Sequence, residues 1–374
     1  MLILNSTLRR VLVILGVVAL LYFFLVSIGM VGASFKLVGK SLAQEIFGFA
    51  SQPLTGLFIG IFATSLVQSS STTTSIVVGL VAGGMSVETA IPIIMGANIG
   101  TSVTNTLVSV GHIGRTNEFK RAFAASTVHD FFNLIAVLLL FPLQYFTNFL
   151  GKISQFIAGI FTSGADIHFT SPVKVVVKPM VGMLVKLLSS PFDSKGVQAI
   201  AVLVVAGIIL FLALKYMTVL LRGVVMQNAS GFFERTVFRT PHLAFAMGVF
   251  LTAAVQSSSI TTSVVVPLAG AGILTLGQIY PYTLGANIGT TITAILAALA
   301  APENAFAALS VALAHLNFNV CGIIVITAIP PIRTVPMKLA EFMANQAVVR
   351  KWVPFAYIVV VFFLVPLILI YVTR

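Results

Sequence analysis

The apolar runs 11–34, 198–221, 306–330 and 353–372 each reach the roughly 20 residues that a helix needs to cross a bilayer. Charged residues make up 8% of the chain, against about 25% in ordinary proteins, and mean hydropathy is +1.09. The expected class is therefore an all-α polytopic membrane protein. The first run follows Arg9 and Arg10 as a signal peptide would, but it is about twice the length of a signal core and reads as a retained span. A net charge of +12 would point to nucleic acid in a soluble protein; here the basic residues fall in loops, where they set orientation, so no nucleic-acid partner is expected. The one cysteine, Cys321, sits in an apolar run, which rules out a disulfide within the chain and a thiolate metal cluster.

Within this hydrocarbon-rich chain lie two polar stretches of nearly identical sequence. Gln68-Ser69-Ser70-Ser71-Thr72-Thr73-Thr74-Ser75 returns as Gln256-Ser257-Ser258-Ser259-Ile260-Thr261-Thr262-Ser263. Each is followed by the same hexapeptide, Gly96-Ala97-Asn98-Ile99-Gly100-Thr101 and Gly285-Ala286-Asn287-Ile288-Gly289-Thr290. Small residues of this kind also serve close helix packing. Two copies in the same order at near-equal separation point instead to a duplicated protein with one site built from both halves.

The expected organisation has four parts. Repeat 1 (1–143) holds the leading span, a hairpin over 52–85, a broken span over 86–110 and a span over 122–143. A linker covers 144–197, with an interfacial helix near 147–161. Repeat 2 (198–330) holds its own leading span, a hairpin over 240–274, a broken span over 275–300 and a span over 306–330. An interfacial segment and a C-terminal span occupy 331–374. Amphipathic connectors are expected near 36–50 and 223–239. The hairpins follow from length: an apolar arm of fifteen residues is only ~22 Å long, short of a ~30 Å core, so it turns back at the Gln-Ser tip inside the membrane. The paired glycines invite a break in each following span.

Loop 111–121 carries Arg115, Lys120 and Arg121, whereas its counterpart 301–305 carries only Glu303. Opposite charge bias in equivalent loops places them on opposite sides, so the repeats are expected to be inverted, with the N-terminus cytoplasmic. The linker is then outside despite Lys152, Lys174, Lys178, Lys186 and Lys195.

Residues 52–114 and 243–302 contain no lysine or arginine, and their only acid is Glu88, at the membrane boundary. A ligand held there meets hydroxyls, carboxamides and helix ends. The arm leaving each tip offers N–H donors suited to an anion. The arm arriving offers carbonyls which, with Ser, Thr and Asn oxygens, suit a hard cation such as Na⁺. His129 and Asn133, matched by His315 and Asn319, are secondary candidates, read first as interhelical hydrogen-bond partners. For His129 the neighbouring Asp130 is an available partner.

The doubled Gln-Ser-Ser-Ser and Gly-Ala-Asn-Ile-Gly-Thr resemble the type II sodium-dependent phosphate cotransporter family. The likeness extends through Phe35–Gly39, Pro92–Gly96, Phe119–Phe123 and Val128–Asn133, and resumes over 240–330. It implies Na⁺-coupled uptake of inorganic phosphate across the cell membrane by alternating access, with Na⁺ as co-transported ion and no organic cofactor. Carried over residue by residue, phosphate falls to Gln68, Ser69, Ser70, Ser71, Gln256, Ser257, Ser258 and Ser259. Thr72, Thr73, Thr261 and Thr262 become sodium contacts, and the same oxygen chemistry extends the sodium set to Asn98, Thr101, Asn287 and Thr290. The linker lacks the cysteines of the animal proteins' outer loop and no long tail follows, which points to a prokaryotic member. An exporter or symporter of another small oxyanion and a passive ion channel are the alternatives. An intramembrane serine hydrolase would need a Gly-x-Ser-x-Gly elbow, which the chain lacks, and no enzymatic role is expected.

Overall fold

A computed structural model describes residues 6–38, 48, 50–163, 172–226, 237–301 and 304–373. Most of both connectors, residues 164–171 of the linker and Glu303 lie outside the described residues. Among the described residues the ordered elements are all helical. Seven helical segments are long and apolar enough to cross a membrane, and the protein is a multi-pass membrane protein.

The first leading span is α1 (Ser6–Val38). Next come two short apolar helices, α2 (Pro53–Val67) and α3 (Ser70–Ala82), joined at Gln68-Ser69. Helix α4 (Val87–Gly100) continues after a turn at Thr101-Ser102 as α5 (Val103–Val110), and α6 (Thr116–Thr147) is the long span that follows. The linker contains α7 (Phe149–Ser163) and α8 (Pro172–Ser189). They pack on the bundle: Asn317 donates to Ser154 Oγ at 2.9 Å, and α8 lies against α1.

The second series runs α9 (Lys195–Met226), α10 (Pro241–Val255), α11 (Ser258–Gly270), α12 (Leu276–Ala300) and α13 (Ala305–Ala328). After the short α14 (Pro330–Arg333), α15 (Val335–Val349) packs on α6, and the last span, α16, covers Val353–Thr373 with one π-helical stretch at Val360–Leu364.

The broken span occurs in one half only. The first copy breaks after Gly100, as expected, but α12 runs unbroken through Gly285-Ala286-Asn287-Ile288-Gly289-Thr290. The glycines serve contact instead. A Cβ on Gly96 would collide with the carbonyl oxygen of Leu57, and one on Gly285 with that of Phe245. Each hexapeptide thus lets its helix seat backbone-to-backbone on the arriving arm of its own helix pair, α4 on α2 and α12 on α10. Close packing of small residues, rather than a hydrophobic driving force, is what holds helices together in lipid.

Contacts at the helix ends sort the loops into two groups. Arg121 donates to the carbonyls of Ala269 and Gly270 at 3.0–3.2 Å through Nε, and Lys351 to that of Ile113 at 2.8 Å. At other helix ends, Asn304 donates to the Ala82 carbonyl at 3.2 Å, and Thr55 Oγ1 meets Thr373 Oγ1 at 2.8 Å. Thus Arg121 lies at the end of the second helix pair, and Asn304 at the end of the first.

Candidate binding site

Both tips have the same local form, and its cause is helix termination. Gln68 (φ 55°, ψ 31°) and Gln256 (φ 58°, ψ 27°) close their arriving helices in the left-handed conformation, each donating its N–H to a carbonyl four residues back at 2.7 Å. The next residue, Ser69 or Ser257, is extended and starts the leaving helix. Ser70 and Ser71, like Ser258 and Ser259, are buried in its first turn, where N–H groups lack helical partners.

The one changed position in the octapeptide makes the tips unequal. Ser69 Oγ accepts from the Thr72 N–H at 3.2 Å and from Thr72 Oγ1 at 2.8 Å. Ile260 replaces Thr72 in the second copy, and Ser257 makes no side-chain cap.

The tips come together. Ser71 Oγ donates to the Gln256 carbonyl at 2.9 Å, and Ser259 Oγ to the Thr101 carbonyl, at the break in the first half, at 3.3 Å. Asn105 donates to Thr262 Oγ1 at 2.7 Å and accepts from Ser263 Oγ at 2.9 Å. Beside these contacts is a cavity of about 260 Å³ lined by Gln68, Ser69 and Thr72 of one tip and Gln256, Ser257 and Ser259 of the other. A water's share of the liquid is about 30 Å³, so a small oxyanion and several waters fit. Gln256 and Thr104 line this space, and their buried Oε1 and Oγ1 have no protein partner. Orphaned polar atoms of this kind ask for a ligand or water.

The threonines are arranged differently from the serines. Thr261 Oγ1 is engaged by Thr252 Oγ1 at 2.7 Å, whereas Thr73, Thr101 and Thr290 each give the hydroxyl proton to the carbonyl four residues back, at 3.2, 3.0 and 3.0 Å. A hydroxyl oriented this way presents lone pairs to its surroundings, which favours a cation over an anion. Thr262 does the same at 2.6 Å, with its oxygen also occupied by Asn105.

The expected sodium oxygens of Asn98 and Asn287 are engaged elsewhere. Asn98 Oδ1 accepts from His315 Nε2 and its Nδ2 donates to Asn319, both at 3.1 Å. In the reciprocal set Asn287 Oδ1 accepts from His129 Nε2 and its Nδ2 donates to Asn133 at 2.8 Å. Asn133 also donates to the Asn98 carbonyl at 2.9 Å, joining the two sets. All six residues are buried. The histidines are thus interhelical partners between halves, and His129 does not pair with Asp130.

Asp130 is a residue the sequence reasoning passed over. It is completely buried; Tyr357 donates to its Oδ2 at 3.1 Å, and Oδ1 has no hydrogen-bond partner. Ser102, at the helix break, approaches the same carboxylate. The available signal was an acid in the middle of a span, which is rare enough to mark function by default. Lys215 of α9 was also missed. It lines the cavity, so the site's surroundings are not free of charged side chains.

These features define a class: a multi-pass helical membrane protein in which duplicated Gln-Ser tips meet beside a cavity. More particularly, the chain belongs to the Na⁺/Pi-cotransporter family, whose profile matches residues 23–164 and 175–334. It is 36% identical to the sodium-dependent phosphate transport protein 2B of Pongo abelii and 35% identical to that of Homo sapiens, each alignment covering 96% of this chain and 64% of the relative. Identity to the 2A protein of Mus musculus is 34% over 93% of this chain and 66% of that protein. The chain therefore spans just under two-thirds of the 2B relatives' length. No solved structure matches it.

Proposed function

We propose that this protein carries inorganic phosphate into the cell together with Na⁺, by alternating access in the cell membrane. The observation that carries the proposal is the meeting of the two Gln-Ser tips beside a cavity lined by Gln256 and Thr104, whose buried Oε1 and Oγ1 have no protein partner. The names of the relatives, sodium-dependent phosphate transport proteins 2A and 2B, agree with it. Phosphate is held by the Gln68 and Gln256 amides, the Ser69 and Ser257 hydroxyls and the first-turn N–H groups that begin with Ser70, Ser71, Ser258 and Ser259. Na⁺ binds where hydroxyl lone pairs are presented, at Thr73, Thr101 and Thr290, and at Asp130 beside Ser102. Asn98 and Asn287, with His129, Asn133, His315 and Asn319, fasten the halves around the site.

The two halves are inverted repeats. Supporting this, Arg121 caps the second helix pair and Asn304 the first, as reciprocal partners would in an antiparallel arrangement. The face bearing Arg115, Lys120, Arg121, Arg333, Lys338, Arg350 and Lys351 is cytoplasmic by the positive-inside rule, which puts the N-terminus inside. Because a bound cation and anion relieve each other's desolvation cost, phosphate affinity rises with Na⁺ and Na⁺ affinity rises equally with phosphate. Uptake of ³²P-phosphate into proteoliposomes tests the proposal. Accumulation driven by an inward Na⁺ gradient is expected; equal uptake with K⁺ in place of Na⁺ would refute it.

A further inference from the structure

We propose that Lys215 is the anion-recruiting charge of the phosphate site, a role that rests on the phosphate reading given above. Helix α9 is apolar enough to cross the membrane over Lys195–Tyr216, and Lys215 falls within that stretch. Its helix supplies one wall of the cavity through Phe211, Leu214, Lys215 and Val219, facing Gln68 and Ser69 of one tip and Gln256 and Ser257 of the other. Among the described residues no other charged side chain lines this cavity. Among the described residues Lys215 makes no salt bridge. Its ammonium instead lies 5.8 Å from the Phe211 ring centre and 6.0 Å from that of Tyr216. Cation–π contacts of this kind are weak at exposed sites, too weak to hold the charge against a phosphate anion.

An interfacial lysine that only snorkels to the membrane surface would have no reason to share a wall with the duplicated tips. The lysine is also unsymmetric. Counting back equally from Pro53 and Pro241, which open the two arriving arms, sets Lys215 opposite Ser27. Ser27 is fully buried and spends its hydroxyl on the Phe24 carbonyl at 2.6 Å. Among the described residues the duplicated donors therefore have a charge at the cavity wall from one half only, on an exposed, flexible stem that belongs to neither tip. A lysine ammonium is a mobile point charge, suited to drawing an anion in and releasing it. Its pull falls with added salt while the cavity is open to solvent.

The test is equilibrium ³²P-phosphate binding to purified protein in saturating Na⁺, for the wild type, Lys215→Gln, Lys215→Met and Lys215→Arg. Loss of the charge should raise the phosphate Kd about fivefold to tenfold with no salt beyond the saturating Na⁺, and clearly less when further inert salt is added. The arginine variant should stay within about twofold of wild type, since it keeps the charge. Wild-type Kd values in Gln and Met variants would overturn the inference. If the neutral variants fail to fold, acetylation of wild-type Lys215 decides. Phosphate plus Na⁺ should slow its modification relative to Lys186 and Lys338, and an unchanged rate would overturn it. Failure of the underlying reading is separate: the wild type itself would then bind no phosphate in Na⁺.

Discussion

Replacing Gly100 by alanine tests how the hexapeptide works. The added Cβ would stand 2.6 Å from the Ile61 carbonyl oxygen, 2.7 Å from Thr64 Cβ and 3.0 Å from the Ser65 nitrogen. Ordinary contact needs about 3.5 Å, so α4 must back away from α2 by roughly half an ångström to one ångström. None of the three atoms is the far end of a flexible side chain, so the helices themselves must separate. Overpacking costs typically about 1–3 kcal/mol, and a clash against two backbone atoms of the neighbouring helix belongs at the top of that range. The displacement also reaches Asn98, two residues earlier, whose bonds to His315 and Asn319 are 3.1 Å long. Half an ångström more brings both to the limit of a hydrogen bond. Gly277→Ala is the control, since nothing lies within 4 Å of its Cβ position in the first turn of α12. In detergent, thermal unfolding followed by size-exclusion fluorescence should show Gly100→Ala strongly destabilised and Gly277→Ala at or slightly above wild type. A Gly100→Ala protein as heat-stable as wild type would refute close backbone seating. If the glycines acted by loosening the helix, alanine would stabilise it.

Ser69→Ala should cost about 1 kcal/mol of stability, the usual value of a serine N-cap, while Ser257→Ala, which loses no cap, should be nearly silent in denaturation. Both should weaken phosphate binding about tenfold or more, the worth of one hydrogen bond to a charged group; equal stability losses would contradict the unequal tips. Asp130→Asn retains a carboxamide oxygen for Tyr357 but removes the charge, so it should lower Na⁺ affinity in uptake assays by about tenfold or more while the protein stays folded; unaltered Na⁺ activation would free Asp130 from that role. Thiol labelling of Asn117→Cys and Asn304→Cys in oriented membranes should mark opposite faces, and labelling of both from one face would end the inverted arrangement.

The helix pairs were legible because two constraints coincide there: arms too short to cross, and polar residues where they meet. Termination at Gln68 and Gln256 follows from the same local chemistry, one residue in the left-handed conformation before a serine that begins the next helix. The state of the second span was not legible. Glycine in a helix permits either a break or a close approach, and both copies make the close approach although only the first span breaks. Asn98 and Asn287 were visible as polar residues in apolar surroundings, but their partners lie more than a hundred residues away along the chain, at positions that no local pattern pairs. Lys215 escaped notice because it sits outside the duplicated segments, on a helix whose contribution to the cavity wall depends on tertiary packing. Asp130 was seen only as a neighbour of His129, whereas its contact is with Tyr357 on the last span.

The crossed asparagine–histidine pairs have a consequence for how the protein is made. His129 and Asn133 emerge from the ribosome long before Asn287, and Asn98 long before His315 and Asn319. Until those partners arrive, the early spans hold polar groups in lipid with nothing from the other half to satisfy them, at a cost of about a kilocalorie or more each. A nascent chain halted before Asn287 is therefore left with these groups unmatched in the bilayer. Insertion of this protein is completed by its last third, and translocon-associated chaperones that shelter polar spans have their longest task with the first.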